Sequence, residues 1–83
     1  MRFTVVWSSF ADEQLADAWL DSVDQRDQIA GASHQIDRLL CVDPQGKGQA
    51  YDDDRTLEVP PLTVVFSVEE DDRIVRILVV RVE

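Results

Sequence analysis

Along Met1–Trp7 successive side chains alternate between two faces, with Phe3, Val5 and Trp7 on one and Thr4 and Val6 on the other. That β-rich alternation predicts a first strand. Ser8–Ser9 ends it. Ser9 reads as a helix N-cap, and Asp12 and Glu13 add negative charge to the first turn, where the helix dipole favours it. From Phe10 the apolar positions Leu15, Trp19 and Val23, with Ala11, Ala18 and Ser22 beside them, form one stripe at helical spacing. Asp12, Asp17, Asp21 and Asp24 lie mostly off it. Asp24–Asp27 has no apolar residue and marks a bend, with Asp27 placed to cap a second helix. In that helix Ile29, Ala32, Ser33, Ile36, Leu39 and Leu40 keep the same period. Gly31 weakens it by about 1 kcal/mol relative to Ala unless close packing needs the space. Asp43-Pro44 ends it, since the residue before a proline is pushed out of the helical region. The two helices form a hairpin.

Gln45–Arg55, with Gly46, Gly48 and three consecutive aspartates, has no periodicity and reads as a loop. Thr56–Val59 is a short strand closed by Pro60-Pro61, because proline is excluded from central strand positions. Leu62–Val68 and Ile74–Val82 are the clearest strand patterns, joined by the charged turn 69–73 into a hairpin. Leu62, Val64, Phe66 and Val68 share one face, while both faces of Ile74–Val82 are largely apolar, which places the last strand centrally. The expected fold class is α+β: a two-helix N-terminal hairpin packed on a small, mainly antiparallel sheet in the order β-α-α-β-β-β, as a single domain over residues 1–83.

Length and composition support this picture. Eighty-three residues suit one core, and 45% hydrophobic content with two Trp and three Phe suits packing rather than disorder. No apolar run approaches the roughly 18 residues of a membrane span. The short apolar stretch after Arg2 stops at Ser8 without a cleavage-site pattern, so no export signal is expected. A lone cysteine, Cys41, fits a reducing cytosol and hence a cytoplasmic location.

Charge changes the functional picture more. Seventeen acidic residues oppose eight basic ones, a net charge of −9, so the long-range field repels DNA and RNA and strong direct nucleic-acid binding is not expected. The imbalance is uneven: residues 1–54 hold four basic and eleven acidic side chains, and residues 55–83 hold four and six. Any contact with a polyanion must come from the second, sheet-forming part.

Four features carry ordinary structural readings. His34, the sole histidine, falls opposite Ile36 and Leu40 and reads as part of a solvated helix face. Asp52-Asp53-Asp54 is read as an acidic loop, because three consecutive side chains seldom converge on one ion; no metal site is expected. Cys41 has no cationic neighbour and reads as a small core residue. Trp7 and Trp19 read as core anchors.

With the element order in place, several strings become recognisable. Val6-Trp7-Ser8 closes the first strand; an Ala/Asp/Leu-rich helix with Trp19 follows; Ile36-Asp37-Arg38-Leu39-Leu40 then leads to Asp43-Pro44. Arg55-Thr56-Leu57-Glu58-Val59 precedes Pro61-Leu62-Thr63-Val64-Val65-Phe66-Ser67-Val68, and Asp71-Asp72-Arg73-Ile74 opens the closing strand. Over essentially the whole chain this resembles the RelE/ParE superfamily of toxins from type II toxin–antitoxin systems. The resemblance implies a bacterial toxin-like protein without a cofactor, whose partner is a cognate antitoxin that adds a helix or strand to it. Val65, Ile77, Val79 and Arg76 are the expected partner-binding positions. It implies gyrase or the ribosome as target.

Members that cut mRNA need clustered cations to offset charge on the pentavalent transition state, and a proton donor for the leaving oxygen. Here the candidates for such work are Arg55, Arg81, Lys47 and Tyr51. Arg55 and Arg81 stand where the family is commonly basic; they either meet at one sheet edge to hold a phosphate or a carboxylate, or form ordinary ion pairs with Glu58 or the aspartate loop, the latter being the expectation. Lys47, the one lysine, lies in the loop that often supplies lysines, and Tyr51 replaces the missing acid only beside cations, since phenols titrate near pH ~10. Thr63 stands where such nucleases often place an arginine, Val79 and Val82 are apolar where some carry Arg or His, and the sequence stops at Glu83, near where they continue into a basic tail. The expectation is a ParE-like protein acting by contact rather than an enzyme. The alternatives are an inactive member serving as adaptor or regulator, and a ribosome-dependent mRNA endoribonuclease with a non-standard site.

Overall fold

A computed structural model describes residues 2–82. Met1 and Glu83, which end the expected first strand and the chain, lie outside the described residues. The order is β1 (Thr4–Trp7), α1 (Ser9–Asp21), α2 (Arg26–Leu40), β2 (Gln49–Tyr51), β3 (Asp54–Val59), β4 (Leu62–Glu69) and β5 (Ile74–Val82). Short 3-10 turns, Val23–Gln25 and Pro44–Gly46, follow the two helices. The strands form one sheet in the order β1-β5-β4-β3-β2, antiparallel except for the parallel pair β1–β5. This is the α+β arrangement expected, with the last strand central. One addition corrects the order: the segment read as a loop contains β2, which pairs with β3 through Tyr51↔Asp54, so the sheet has five strands.

The local physics is legible at each junction. Ser8, not Ser9, caps α1: its extended backbone lets Oγ accept the Ala11 N–H at 3.1 Å. The second helix begins at Arg26, with Gln25 at its N-cap and Asp27 in its first turn rather than capping it. It ends at Leu40, before Asp43 takes a left-handed backbone (φ 48) ahead of Pro44. Pro60-Pro61, a cis bond, turns the chain between β3 and β4. No helix among the described residues is long and apolar enough to cross a membrane.

The core lies between the helices and one sheet face. Ile29, Ala32, Ile36 and Leu40 come from α2 at helical spacing; Leu62, Val64, Phe66, Val75, Ile77 and Val80 come from β4 and β5. The first helix differs from its expected stripe. Only Ala11 is fully buried, with Leu15 and Ala18 packed beside the core, whereas Trp19 is 43% exposed and Val23 63%. Small residues face β5, which lets the helix lie close to it, and the large side chains are rotated to the margin. Trp7 does pack on the core, its indole N–H donating to Asp37 Oδ1 at 2.8 Å, but Trp19 is no core anchor. Cys41 is likewise half-buried at the end of α2, its thiol donating to the Arg38 carbonyl. His34 is exposed, as its position on α2 implied.

Gly31 lies in the interior of α2, and a Cβ there would meet nothing within 4 Å. Close packing therefore does not explain it. Gly31→Ala is expected to stabilise the fold by about 0.5–1 kcal/mol, through helix propensity and lower unfolded-chain entropy. Urea unfolding followed by circular dichroism checks this, and an unchanged midpoint would contradict it.

Candidate functional site

The sheet face opposite the helices is the place where the sequence candidates have to meet. Register decides which of them do. Between β4 and β5 the pairing runs Leu62↔Val82 to Val65↔Val79, then resumes at Phe66↔Ile77, so Leu78 is an extra residue in β5. A bulge of this kind shifts the alternation by one position. Before it Val75 and Ile77 point to the core; after it Val80 does, and Val79 and Arg81 look outward.

The bulge is secured from the helix side. Gln14 Oε1 accepts the Val80 N–H at 2.8 Å, and Ser8 Oγ donates to the Leu78 carbonyl at 3.3 Å. Both groups lie where β1 has already ended, at Trp7↔Ile77. Gln14→Ala would leave the N–H of Val80, a residue only 2% exposed, without its partner. The expected cost is about 1–3 kcal/mol, read as a lower denaturation midpoint, with faster amide exchange at Val80 as its local signature.

The outward face holds a small groove of about 160 Å³ lined by Tyr51, Thr56, Thr63, Val65, Val79 and Arg81. A second hollow of about 460 Å³ shares Thr56 and Thr63 and adds Gly48, Gln49 and Glu58. Thr63 stands opposite Arg81, and Val65 opposite Val79, so the guanidinium and the apolar pair are adjacent rungs of one ladder. Arg81 makes no side-chain ion pair or hydrogen bond among the described residues. The Thr56 hydroxyl is occupied, donating to the Val64 carbonyl at 3.1 Å.

Two of the four expected catalytic candidates are elsewhere. Arg55 pairs with Phe66, a core residue, while its neighbour Thr56 pairs with outward Val65. Arg55 is thus on the opposite face from Arg81. Its Nε donates to the Lys47 carbonyl at 2.9 Å and its NH2 group to the Gly48 carbonyl at 3.1 Å. Arg55 and Arg81 thus do not meet, and the expected ion pair of Arg55 with Glu58 or the aspartates is replaced by these carbonyl contacts. Lys47 is turned back as well, its ammonium donating to the Val42 carbonyl at 2.7 Å. Gly48 is what allows this tight return: its φ is +67°, and a Cβ would collide with the Thr56 carbonyl. Tyr51 and Arg81 alone of the four line the groove.

Of the expected partner-binding residues, Val65 and Val79 are half-buried neighbours on this face. Ile77 is not available. It is 0% exposed in the core, because the bulge at Leu78 puts it out of phase with Val79. Arg76 stands toward the far end of β5, paired with Glu69 at 3.2 Å in an exposed ion pair of small energetic weight. Asp52 and Asp53 form the turn between β2 and β3, with Asp52 at φ 53; among the described residues no three His, Cys, Asp or Glu side chains are grouped to hold a metal ion.

Chemically, then, the groove offers one guanidinium, one phenol and an apolar pair, beside threonines of which Thr56 is already bonded to the Val64 carbonyl. A pentavalent phosphorane calls for several cations around it, and this groove brings one. It is better matched to a peptide segment with an apolar side chain and a carboxylate.

The same architecture occurs in solved structures. A chain in the crystal structure of the toxin–antitoxin complex RelBE2 from Mycobacterium tuberculosis is similar over 100% of this chain and 93% of its own, with a TM-score of 0.79 and 14% identity. A chain of the chromosomal ParDE TA system from P. aeruginosa is similar over 99% of this chain and 98% of its own, with a TM-score of 0.74 and 24% identity. The fold is thus the RelE/ParE type that the strings of the sequence resemble. No protein-family model matches the sequence, and neither does any curated protein.

Proposed function

We propose, from the RelE/ParE fold of this chain, that it is the toxin-like member of a toxin–antitoxin pair, binding a cognate antitoxin and acting on its target by protein contact rather than by cutting mRNA. The full-length likeness to chains of two toxin–antitoxin assemblies supports the antitoxin partner. The observation that carries the second half is the outward groove, where Arg81 is the sole cation of the lining while Arg55 and Lys47 are tied to backbone carbonyls elsewhere. A net charge of −9 points the same way, since it opposes approach to RNA.

Co-expression with the product of the adjacent gene tests the first half: a stable complex is expected, and its absence with either neighbour would count against an antitoxin partner. Induced expression with separate readouts of translation and DNA damage tests the second. Growth arrest with DNA damage and intact transcripts fits a gyrase-directed, ParE-like action. Transcripts cleaved at the ribosomal A site would instead establish the mRNA endoribonuclease, and unimpaired growth would favour the adaptor or regulator.

A further inference from the structure

The helices present a second surface, on the side of the molecule away from the sheet groove. Leu15, Ala16, Trp19 and Leu20 of α1 and Ile29 and Ala30 of α2 line an open groove of about 510 Å³. Leu20 is 60% exposed at its rim, and Val23, one helical turn after Trp19, is 63% exposed. Scattered exposed apolar residues are ordinary, but a contiguous set around a groove is not. Trp19 is also held in place. The Arg26 guanidinium lies 4.1 Å from its ring centroid while Arg26 Nε donates to the Trp19 carbonyl at 2.8 Å. A fixed, half-exposed indole in an apolar groove is the kind of pre-organised anchor on which binding energy concentrates.

Charge identifies the occupant. Asp12 lines the groove, and across residues 9–28 six acidic side chains, all exposed, face a single basic one, Arg26, which is already committed to Trp19. A second copy of this chain would bring the same acidic surround against itself. We propose that this groove receives a cationic amphipathic helix of a partner protein, its apolar stripe on Leu15, Trp19 and Leu20 and its Lys/Arg flanks against the carboxylates. The inference rests on the helical surface alone and does not require the proposed function.

The test uses the full chain and a fluorescein-labelled 16-residue peptide with leucines at helical spacing and lysine flanks, titrated by anisotropy at roughly 0.15 M salt. Two comparators accompany it: the same leucine stripe with glutamate flanks, and the same lysines with serines replacing the leucines. The leucine/lysine peptide is expected to bind about tenfold or more tightly than either. Leu20→Ser should weaken it by about tenfold, and Asp12→Asn should weaken it about threefold with a shallower salt dependence. Asp71→Asn, an equal change of charge in the turn after β4, should leave it unaltered. Leu20 is exposed, so its variant should keep the parent circular dichroism melt, which is recorded alongside. Equal binding of the serine peptide would reduce the effect to general charge attraction and overturn the proposal. So would equal binding of the glutamate peptide, full retention of binding by Leu20→Ser, or a dimer of the chain that Leu20→Ser dissociates.

Discussion

Phe66→Ala should cost about 3–5 kcal/mol of unfolding free energy, the range for deleting a fully buried aromatic ring. Phe66 is 0% exposed and sits in β4 between Arg55 of β3 and Ile77 of β5, at the rung where pairing resumes beyond the bulge. Its loss removes the largest fully buried side chain from a small core, supplied mainly by α2, β4 and β5 with Ala11 of α1 and Val59 of β3. Domains are stable by roughly 0.05–0.15 kcal/mol per residue, which for this chain of 83 residues amounts to about 4–12 kcal/mol in all. The substitution therefore takes from about a quarter of the stability to the whole of it. Urea titration followed by circular dichroism is the measurement, with Phe10→Ala as the internal comparison. Phe10 is 58% exposed on α1 and its truncation should stay within about 0.5 kcal/mol. Similar losses for the two would mean that the core is not where the burial pattern places it.

That core was readable from the sequence because β4 alternates without interruption: Leu62, Val64 and Phe66 point inward as a period of two requires. The next strand shows where such reading stops. Ile77-Leu78-Val79-Val80 is an unbroken apolar run, so the sequence contains nothing to mark the residue at which the phase slips. Leu78 absorbs the slip, Ile77 goes to the core, and Val79 goes outward. The signal that does exist is long-range: Gln14, a polar residue on the side of α1 that meets the sheet, reaches the Val80 N–H beyond the end of β1.

The other misreadings have physical causes of the same kind. Gln49–Tyr51 is short, exposed and polar, and its turn is Asp52-Asp53 rather than a glycine pair, so no local pattern announces a strand. The pairing of β3 with β4 puts Thr56 beside outward Val65 and Arg55 beside core Phe66, which sets Arg55 on the face away from Arg81. In α1 the helical stripe predicts Leu15, Trp19 and Val23 on the buried face, but Ala11 and Ala18 meet the core while Leu15, Trp19 and Leu20 line the groove. Helical spacing identifies a face without saying whether a sheet or a partner covers it.

The sharpest functional consequence falls on Val79. If the proposed antitoxin docks on the outward sheet face, Val79→Asp is expected to lower its affinity by a factor of about 30 to 1,000, the effect of about 2–4 kcal/mol at the centre of an interface. Val79 and Val65 form the apolar rung of the outward groove, directly beside the rung of Thr63 and Arg81. A carboxylate introduced there either stays solvated and keeps the partner's apolar group out, or is buried unpaired at comparable cost. Its damage to the fold is small by comparison, since Val79 is half-exposed to water on a face without helices. The variant should thus melt as a cooperative domain while failing to hold its partner, a combination that Phe66→Ala cannot produce. Calorimetric titration against the co-purifying product of the adjacent gene reads the affinity. Arg76→Ala, whose side chain is exposed and paired with Glu69 toward the other end of β5, should cost well under tenfold in the same assay. Retained affinity in Val79→Asp would remove the outward sheet face from the interface. If Leu20→Ser then abolished binding, the antitoxin would be a ligand of the acidic helical groove, and the sheet would be left free to meet the target.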